Sequence, residues 1–371
     1  MSNFLSRASV RGLASGLILA VSLPAIAQSG AGWKFAVSGD SRNCGDIVMP
    51  AIAQGVLHDR AAFYWHLGDY RAISRIDEDY HQIHPDTKLT EYQDDAWTDF
   101  IRHQLQPFGE LPVLLELGNH ELISPMSRSQ YLAKFGKWFN TPALQGQRLP
   151  DSSGADLLQT YYHWIDHGVD FIGMDNSSLD QFNDEQLSWF RKVLHDAAAN
   201  GAVRTVVLGM HEALPGSLSA GHSMDDSATH QSSGRQVYAE LLNFRRKTKK
   251  HVYVLASHSH FVLNNVYAIG CRPEEDVLPG WIIGSAGAVR YQLPQEHARA
   301  TVAKTDVYGY LLGTVAADGS ISFEFKEVSK ADVPKFVVDE FSQPQVDWCF
   351  EKNTEPDAPV GAACAPPPPG Q

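Results

Sequence analysis

Five short apolar segments of the sequence each end in a glycine or serine that is followed closely by a residue able to bind a metal ion. Apolar runs of this length between turn-forming residues are typical of buried strands. In an open α/β sheet, ligands bind at the edge where the strands end. The sequence therefore predicts an α/β fold with a polar site at one edge. The five strand ends, in chain order, are Gly39-Asp40, Gly68-Asp69, Gly118-Asn119-His120-Glu121, Gly209-Met210-His211 and Ser257-His258-Ser259-His260.

Apolar residues at helical spacing lie between most of these segments. Five helices are predicted. One begins near Asp46, one passes through Trp97 and Leu105, one spans Ser129 to Phe139, one begins at a capping Asp184, and one passes through Val237 and Phe244. Residues 161–174 predict a β-hairpin, and the region from about 261 to 327 is rich in strands. Three polar stretches are predicted to be loops, namely 70–89, 141–156 and 215–234.

The residues at the strand ends share one kind of coordination chemistry. Carboxylate, amide oxygen and imidazole groups together suit hard-to-borderline divalent ions better than ions that prefer thiolates. A carboxylate that can bridge, with ligands from several strands, is what two ions about 3.5–4 Å apart require. Residues i and i+2 of a strand face opposite sides, so His258 and His260 are expected in a turn or on different ions. The sequence therefore predicts a two-metal site.

The five motifs, in this order, resemble those of the calcineurin-like metallophosphoesterases over roughly residues 35–260. The resemblance implies a four-layer α/β/β/α sandwich of two mixed sheets flanked by helices, with two divalent or trivalent ions (Mn, Fe or Zn) at one edge. It implies that a hydroxide bridging the ions and held through Asp69 attacks phosphorus, while His120 binds the phosphate or protonates the leaving oxygen. The implied ligands are Asp40, Asp69 and His260 for the first ion, and Asp69, Asn119, His211 and His258 for the second.

Two positions depart from the family pattern in ways that affect the ligands. The first motif is commonly Asp-x-His, but here Arg42 follows Asp40-Ser41, and arginine cannot bind a cation. Purple acid phosphatases also lack that histidine and use a tyrosine three residues after the bridging aspartate. That position is Ala72 here, and Tyr70 directly follows Asp69, so the resemblance to purple acid phosphatases is distant. We hypothesise that Arg42 anchors the substrate phosphate; an outward-facing ion pair is the alternative.

Several neighbouring residues are expected to support the site without binding an ion. Glu121 is expected to orient a histidine ligand. Cys44 is expected to form a disulfide that braces the loop after Asp40. The small-residue run 284–288 is expected to form a wall. His66 is expected to be packed inside the fold, whereas His222 and His230 are expected to be exposed in a long loop that could act as a lid.

The first 27 residues have the features of a secretory signal peptide. Arg7 and Arg11 precede an apolar run, and Ala25-Ile26-Ala27 forms a cleavage site before Gln28. The alternative is an uncleaved anchor. The sequence therefore predicts a periplasmic or extracellular protein without a stable membrane anchor after cleavage. In an oxidising compartment, the four cysteines allow two disulfides in three possible pairings. The cysteines are Cys44, Cys271, Cys349 and Cys364.

Charge and length bound the partners and the domain organisation. Without Arg7 and Arg11, the 30 basic residues become 28 against 43 acidic residues, a net charge of −15. Such a surface is a poor partner for nucleic acid. Residues 28–330 are predicted to form the metallophosphoesterase domain, and 331–371 a C-terminal extension that is disordered from about 355.

The predicted function is an exported, metal-dependent hydrolase of small-molecule phosphate monoesters. Two alternatives stay open at this point. One is a phosphodiesterase acting on nucleotides or lipid head groups. The other is a catalytically impaired protein that binds phosphate-bearing ligands. The sequence makes no prediction about the oligomeric state.

Overall fold

The computed structural model describes residues 32–151, 158–177, 182–219, 221–225, 228–270, 272–294 and 299–355. The predicted signal peptide, Cys271, Cys364 and the tail beyond residue 355 lie outside these ranges. None of the helices within them is both long and apolar enough to cross a membrane.

The strands and helices alternate through most of the chain. The strands are β1 (Trp33–Ser38), β2 (Tyr64–His66), β3 (Val113–Leu115), β4 (Tyr162–Asp166), β5 (Val169–Met174), β6 (Thr205–Met210), β7 (His251–Ala256), β8 (Val262–Asn264), β9 (Gly280–Ile283), β10 (Ala303–Lys304), β11 (Tyr308–Val315) and β12 (Ile321–Val328). The helices are α1 (Gly45–His58), α2 (Glu78–Ile83), α3 (Leu89–Phe100), α4 (Arg128–Phe139), α5 (Pro142–Asp151), α6 (Asp184–Ala199), α7 (Ala228–Thr248), α8 (Lys335–Phe341) and α9 (Gln343–Glu351).

The strands form two mixed sheets. One has the order β12-β11-β1-β2-β3 and the other the order β10-β8-β9-β7-β6-β5-β4. In the first sheet β1, β2 and β3 are parallel, with Val37 opposite Trp65 and Trp65 opposite Leu114. In the second sheet β5, β6, β7 and β9 are parallel. Parallel strands end at the same edge, so the predicted ligand motifs are brought to one edge of each sheet.

Large aromatic side chains fill the space between the two sheets. Phe35 of the first sheet contacts Phe171 of the second edge to face, with ring centroids 5.0 Å apart. Trp65 and Trp164 meet in the same way at 5.1 Å. Buried aromatic pairs of this kind contribute about 0.5–1.5 kcal/mol each beyond the area that they bury.

Amphipathic helices cover the outer faces of the sheets. Ile47, Val48 and Ile52 of α1 are fully buried against the first sheet's core. Residues of α6 and α7 share a second core cluster with the outer face of the second sheet, where Ile172 and Leu208 point away from the first sheet. The four-layer arrangement of two mixed sheets flanked by helices is therefore confirmed.

Two of the predicted loops contain helices, which corrects the prediction. The stretch 70–89 contains α2, and 141–156 contains α5, which begins with a proline at its first position. Helix α7 begins at Ala228, so the predicted loop 215–234 is shorter. The polar residues of the first segment and the glycine and prolines of the second favour loops, whereas the contact of α5 with β4 is not visible in the local sequence. The cap of α6 is Asn183, whose side chain accepts a hydrogen bond from Gln186 N, and not Asp184.

The C-terminal helices lie against the first sheet's side of the molecule. Val337, Phe341 and Val346 belong to the same core cluster as α1. A disulfide joins Cys349 of α9 to Cys44, the residue that precedes α1. The disulfide predicted for Cys44 is therefore confirmed, and its partner is identified. The boundary at residue 331 stays a prediction.

Candidate metal centre

The loops that carry the predicted ligands are joined to one another through their main chains. Asp40 N donates to Gly68 O at 3.0 Å, Ser41 N to Asp69 O at 2.9 Å, and Ser257 N to His211 O at 2.8 Å. These hydrogen bonds join neighbouring strand ends within each sheet, and the bond from Gly39 N to Ile283 O at 3.0 Å joins the two sheets. They fix the positions of the ligand residues relative to each other.

Three of the predicted ligands have a left-handed backbone conformation. The φ angles of Asp40 and Asp69 are both 60°, and that of His258 is 65°. Asp and His are among the few residue types other than glycine that are enriched there. The turn allows His258 and His260 to reach the same edge, as predicted for an i, i+2 pair.

Gly118 is required because the loop after β3 packs directly on the loop after β2. A Cβ atom at Gly118 would overlap the main-chain nitrogen and the carboxylate of Asp69. This close approach places Asn119 beside Asp69.

The ligands predicted for the second ion converge. His211 Nε2 lies 3.1 Å from Asn119 Oδ1, 3.0 Å from His258 Nδ1 and 3.3 Å from Asp69 Oδ1. His211 Nδ1 donates to Leu67 O at 2.8 Å, so Nε2 is the ring atom that faces the group. Ligands around one ion with bonds of about 2.1 Å have this spacing. Asp69, His211 and His258 form a compact group of possible metal ligands, and the residues present fit an ion.

The ligands predicted for the first ion are less compact. His260 Nε2 lies 3.3 Å from Asp40 Oδ1. Asp40 Oδ2 accepts from His258 N at 2.7 Å and from the Ser257 hydroxyl. Asp40 Oδ1 and Asp69 Oδ2 are buried, and no described donor forms a hydrogen bond to either. These two oxygens face a position suited to positive charge, but Asp40, Asp69 and His260 do not form a compact group of the kind found at the second position.

Arg42 lies among these atoms rather than in an outward-facing ion pair. Its Nη1 is 2.7 Å from His120 Nε2, its Nη2 is 3.0 Å from His260 Nε2, and its Nε is 3.8 Å from Asp69 Oδ2. The side chain is only 12% exposed. Arg42 therefore belongs to the site, and His120 is its neighbour there.

The electrostatics of the site favour positive charge. Burial raises the pKa of Asp69, but His120 and His211 outweigh it and hold that pKa well below its usual range. Burial lowers the pKa of His211, yet Asp69 and Asp40 raise it to about 10. Burial, reinforced by repulsion from His211, lowers the pKa of His258 well below its usual range. A pocket that stabilises an imidazolium so strongly also stabilises a metal cation.

Glu121 and Tyr70 support the loop of Asp69 and do not face the ligands. The Glu121 carboxylate accepts from the main-chain nitrogens of Asp69, Tyr70 and Gly118 at 2.8–2.9 Å. Burial and repulsion from Asp69 raise the pKa of Glu121 to about 8. Tyr70 donates to Glu116 O at 2.5 Å. Glu121 therefore orients the Asp69 loop, which corrects the prediction that it orients a histidine.

Ala72 has a different function from the tyrosine that purple acid phosphatases carry there. Its carbonyl accepts a hydrogen bond from His120 Nδ1 at 2.7 Å. The position therefore orients His120 and supplies no ligand.

Two aromatic side chains lie beside the site: Tyr291, which no prediction included, and His222, which was predicted to be exposed. The Tyr291 ring stacks on His260 with centroids 4.0 Å apart, and His222 lies between Tyr291 and His258 at 5.2 Å and 5.1 Å. The exposure predicted for His222 and His230 is wrong, because His222 is half-buried and His230 is buried in α7. The only sequence signal for Tyr291 is its place shortly after the small-residue run.

The remaining predicted neighbours have structural roles. His66 is buried, and its Nε2 lies 2.9 Å from Ser41 Oγ. The run 284–288 forms the predicted wall, since Ala286 N and Ala288 N donate to Gly39 O and Asp40 O. A second group of possible ligands, Asp46, Asp99 and His103, surrounds the guanidinium of Arg71, which contacts Asp46 at 2.6 Å and also contacts Asp99.

Comparison with known proteins agrees with this geometry. No curated protein is similar enough to count as a match. A purple acid phosphatase, PPD1, from yellow lupin (Lupinus luteus) seeds has a similar structure, with a TM-score of 0.55 and 15% identity, over 81% of this chain and 52% of that one. The chain thus spans about half of that protein. A dimetal phosphatase from Danio rerio is also similar, with a TM-score of 0.49 and 12% identity, over 80% of this chain and 97% of that one.

At 15% identity the purple acid phosphatase shows a shared fold alone, and the sequence match carries the assignment. The sequence pattern of the calcineurin-like phosphoesterases matches residues 34–261, which contain all five ligand motifs. The chain belongs to the calcineurin-like phosphoesterase family.

Proposed function

We propose that the protein is an exported phosphatase that hydrolyses small phosphate monoesters to an alcohol and inorganic phosphate. The observation that carries the proposal is the position of Arg42 and His120. Both side chains face the group of Asp69, Asn119, His211 and His258, and their nitrogen atoms lie 2.7 Å apart. A guanidinium beside a set of metal ligands suits the terminal oxygens of a phosphate.

Each residue has a defined task in this proposal. An ion at the second position would supply a water of lowered pKa and neutralise phosphoryl charge. Asp69, Asn119, His211 and His258 are the residues that would hold it. Arg42 binds phosphoryl oxygens, and its charge stabilises the negative charge that develops on them. His120 Nε2 lies beside Arg42, and a proton that it takes up from solvent would pass to the leaving oxygen, which departs as the alcohol.

Export is supported by two independent features. Residues 1–27 have the charge and apolar pattern of a signal peptide. The disulfide between Cys44 and Cys349 is of a kind that persists in oxidising compartments. We propose a periplasmic or extracellular location. Fractionation of cells that express the full chain tests it, and recovery of uncleaved protein in the cytosol would contradict it.

The activity is tested with an aryl phosphate monoester and a bis-aryl diester, assayed in parallel with metal analysis of the same protein. We expect turnover of the monoester to exceed that of the diester, and His211→Ala to reduce it at least about 1,000-fold because ion binding is lost. His195→Ala, an exposed histidine of α6, is the matched control and should retain full activity. Faster turnover of the diester would instead support a phosphodiesterase, and turnover of neither ester would support a binding protein.

A further inference from the structure

The hydrogen bonds of Arg42 define which lone pairs remain for metal ions. His120 Nδ1 and His260 Nδ1 lie 2.7 Å and 2.6 Å from the carbonyl oxygens of Ala72 and Val289. A carbonyl can only accept, so both Nδ1 atoms carry the proton and both Nε2 atoms offer a lone pair. Arginine can only donate, so both lone pairs accept from Arg42.

An ion at the first position would require the lone pair of His260 Nε2. His260 Nε2 is the imidazole donor predicted for that ion, and Arg42 Nη2 lies 3.0 Å from it. A lone pair that accepts from a guanidinium is not available to a cation at the same time. Arg42 itself replaces the histidine usually found in the first motif. The first metal position has therefore lost one ligand, and Arg42 competes with the ion for a second, His260.

The positive charge of Arg42 also disfavours an ion at the first position. The guanidinium stays protonated, so an ion at the first position would lie beside a fixed positive charge. Arg42 Nε is 3.8 Å from Asp69 Oδ2, one of the two buried oxygens without a described hydrogen-bond donor. Arg42 thus supplies positive charge near an oxygen that would otherwise face the first ion.

We propose that the guanidinium of Arg42 takes the place of the first ion. The centre then holds one resident metal ion, bound by Asp69, Asn119, His211 and His258, and Arg42 is the second positive group that faces the phosphoryl oxygens. This inference rests on the proposed function for its substrate, but the number of ions is independent of turnover.

The number of ions is measured with Mn²⁺ as the probe. The full chain is treated with a chelator and dialysed against Mn²⁺, and bound manganese is counted per chain and examined by electron paramagnetic resonance. We expect one Mn²⁺ per chain, with the spectrum of an isolated ion. Arg42→His restores the Asp-x-His motif and should bind two Mn²⁺ whose spectra show exchange coupling. Arg191→His is the matched control, since Arg191 of α6 is exposed and pairs with Glu240, and it should still bind one.

Two exchange-coupled ions in the wild-type chain would overturn the proposal, and so would no tightly bound ion. A count that stays at one in a folded Arg42→His variant would overturn the role assigned to Arg42. If Arg42→His does not fold, the wild-type count and spectrum still decide. A chain that binds one Mn²⁺ but hydrolyses no ester would contradict the proposed function and leave this inference intact.

Discussion

Two buried arginines, Arg42 and Arg71, follow the first two ligand motifs, and their surroundings differ. Arg71 is fully buried among carboxylates, with Asp46 at 2.6 Å, Asp79 at 3.5 Å and Asp77 at 3.6 Å, and with Asp99 in contact. Arg42 instead donates to two neutral imidazoles and lies 3.8 Å from its nearest carboxylate oxygen.

The difference separates a structural cation from one that is available to a ligand. The charge of Arg71 is already neutralised by the carboxylates that surround it. Asp46 and Asp99 share that guanidinium, and His103 contacts both carboxylates. The charge of Arg42 is only partly neutralised, and its edge faces the candidate metal ligands. Five variants can break or sharpen this comparison.

The largest expected effect is on stability, at Arg71. Arg71→Met leaves several buried carboxylates without their cation, and loss of one partner of a buried ion pair costs about 3–5 kcal/mol in the free energy of unfolding. Arg42→Met should cost only about 1 kcal/mol, a common value for single substitutions. Urea denaturation of both variants measures the difference. Equal losses would show that Arg42 is also a structural cation. If Arg71→Met does not fold, Arg71→Lys gives a smaller loss in the same direction.

The second effect is on catalysis, at Arg42. Loss of a hydrogen bond from a charged group costs about 1.5–3 kcal/mol, so Arg42→Met should reduce kcat/KM for an aryl phosphate about 10- to 100-fold. Arg42→Lys keeps the charge but loses the fork of donors and should recover part of the activity. Steady-state kinetics on folded protein provide the measurement. An unchanged KM and kcat in Arg42→Met would exclude the phosphate anchor.

The smallest effect concerns pH and the carboxylates around Arg71. Burial raises the pKa of Asp46 to about 7 despite the opposing charge of Arg71. Between about pH 4 and pH 7 the folded chain therefore keeps a proton on Asp46 that the unfolded chain has released. The free energy of unfolding falls as the pH rises through that window. Asp79 and His103, whose pKa values are also raised, act in the same direction.

Asp99 acts in the opposite sense, since the net effect of its neighbours lowers its pKa to about 2 despite burial, and the stability it contributes is lost only in acid. Asp46→Asn cannot ionise, and it should reduce the slope of the unfolding free energy with pH by up to about 1.4 kcal/mol per pH unit. Denaturant titrations across the window measure that slope. A slope equal to that of the wild type would mean that Asp46 is ionised throughout.

The fold class and the meeting of the candidate ligands at one site could be predicted because both depend on local patterns. Buried strands are short apolar runs, and each ligand follows one of them directly. The contacts of Arg42 could not be predicted in the same way, since His120 and His260 are 78 and 218 positions away. The partner of Cys44 is 305 positions away. Helix α2 was missed because it is short and polar, and α5 because its glycine and two prolines are typical of loops. Buried Asp79, for example, ties α2 to α1 by accepting from Asp46 N.

The hydrogen bonds between the strand ends make the ligand loops a single unit for protein design. Asp40 N and Ser41 N are bound by the loop that carries Asp69, and Ser257 N is bound by His211 O. A graft of one motif into another scaffold would therefore leave donors unpaired and its ligand misdirected. The smallest portable form of this centre is the set of loops from both sheets, together with the glycine that lets the second and third loops touch.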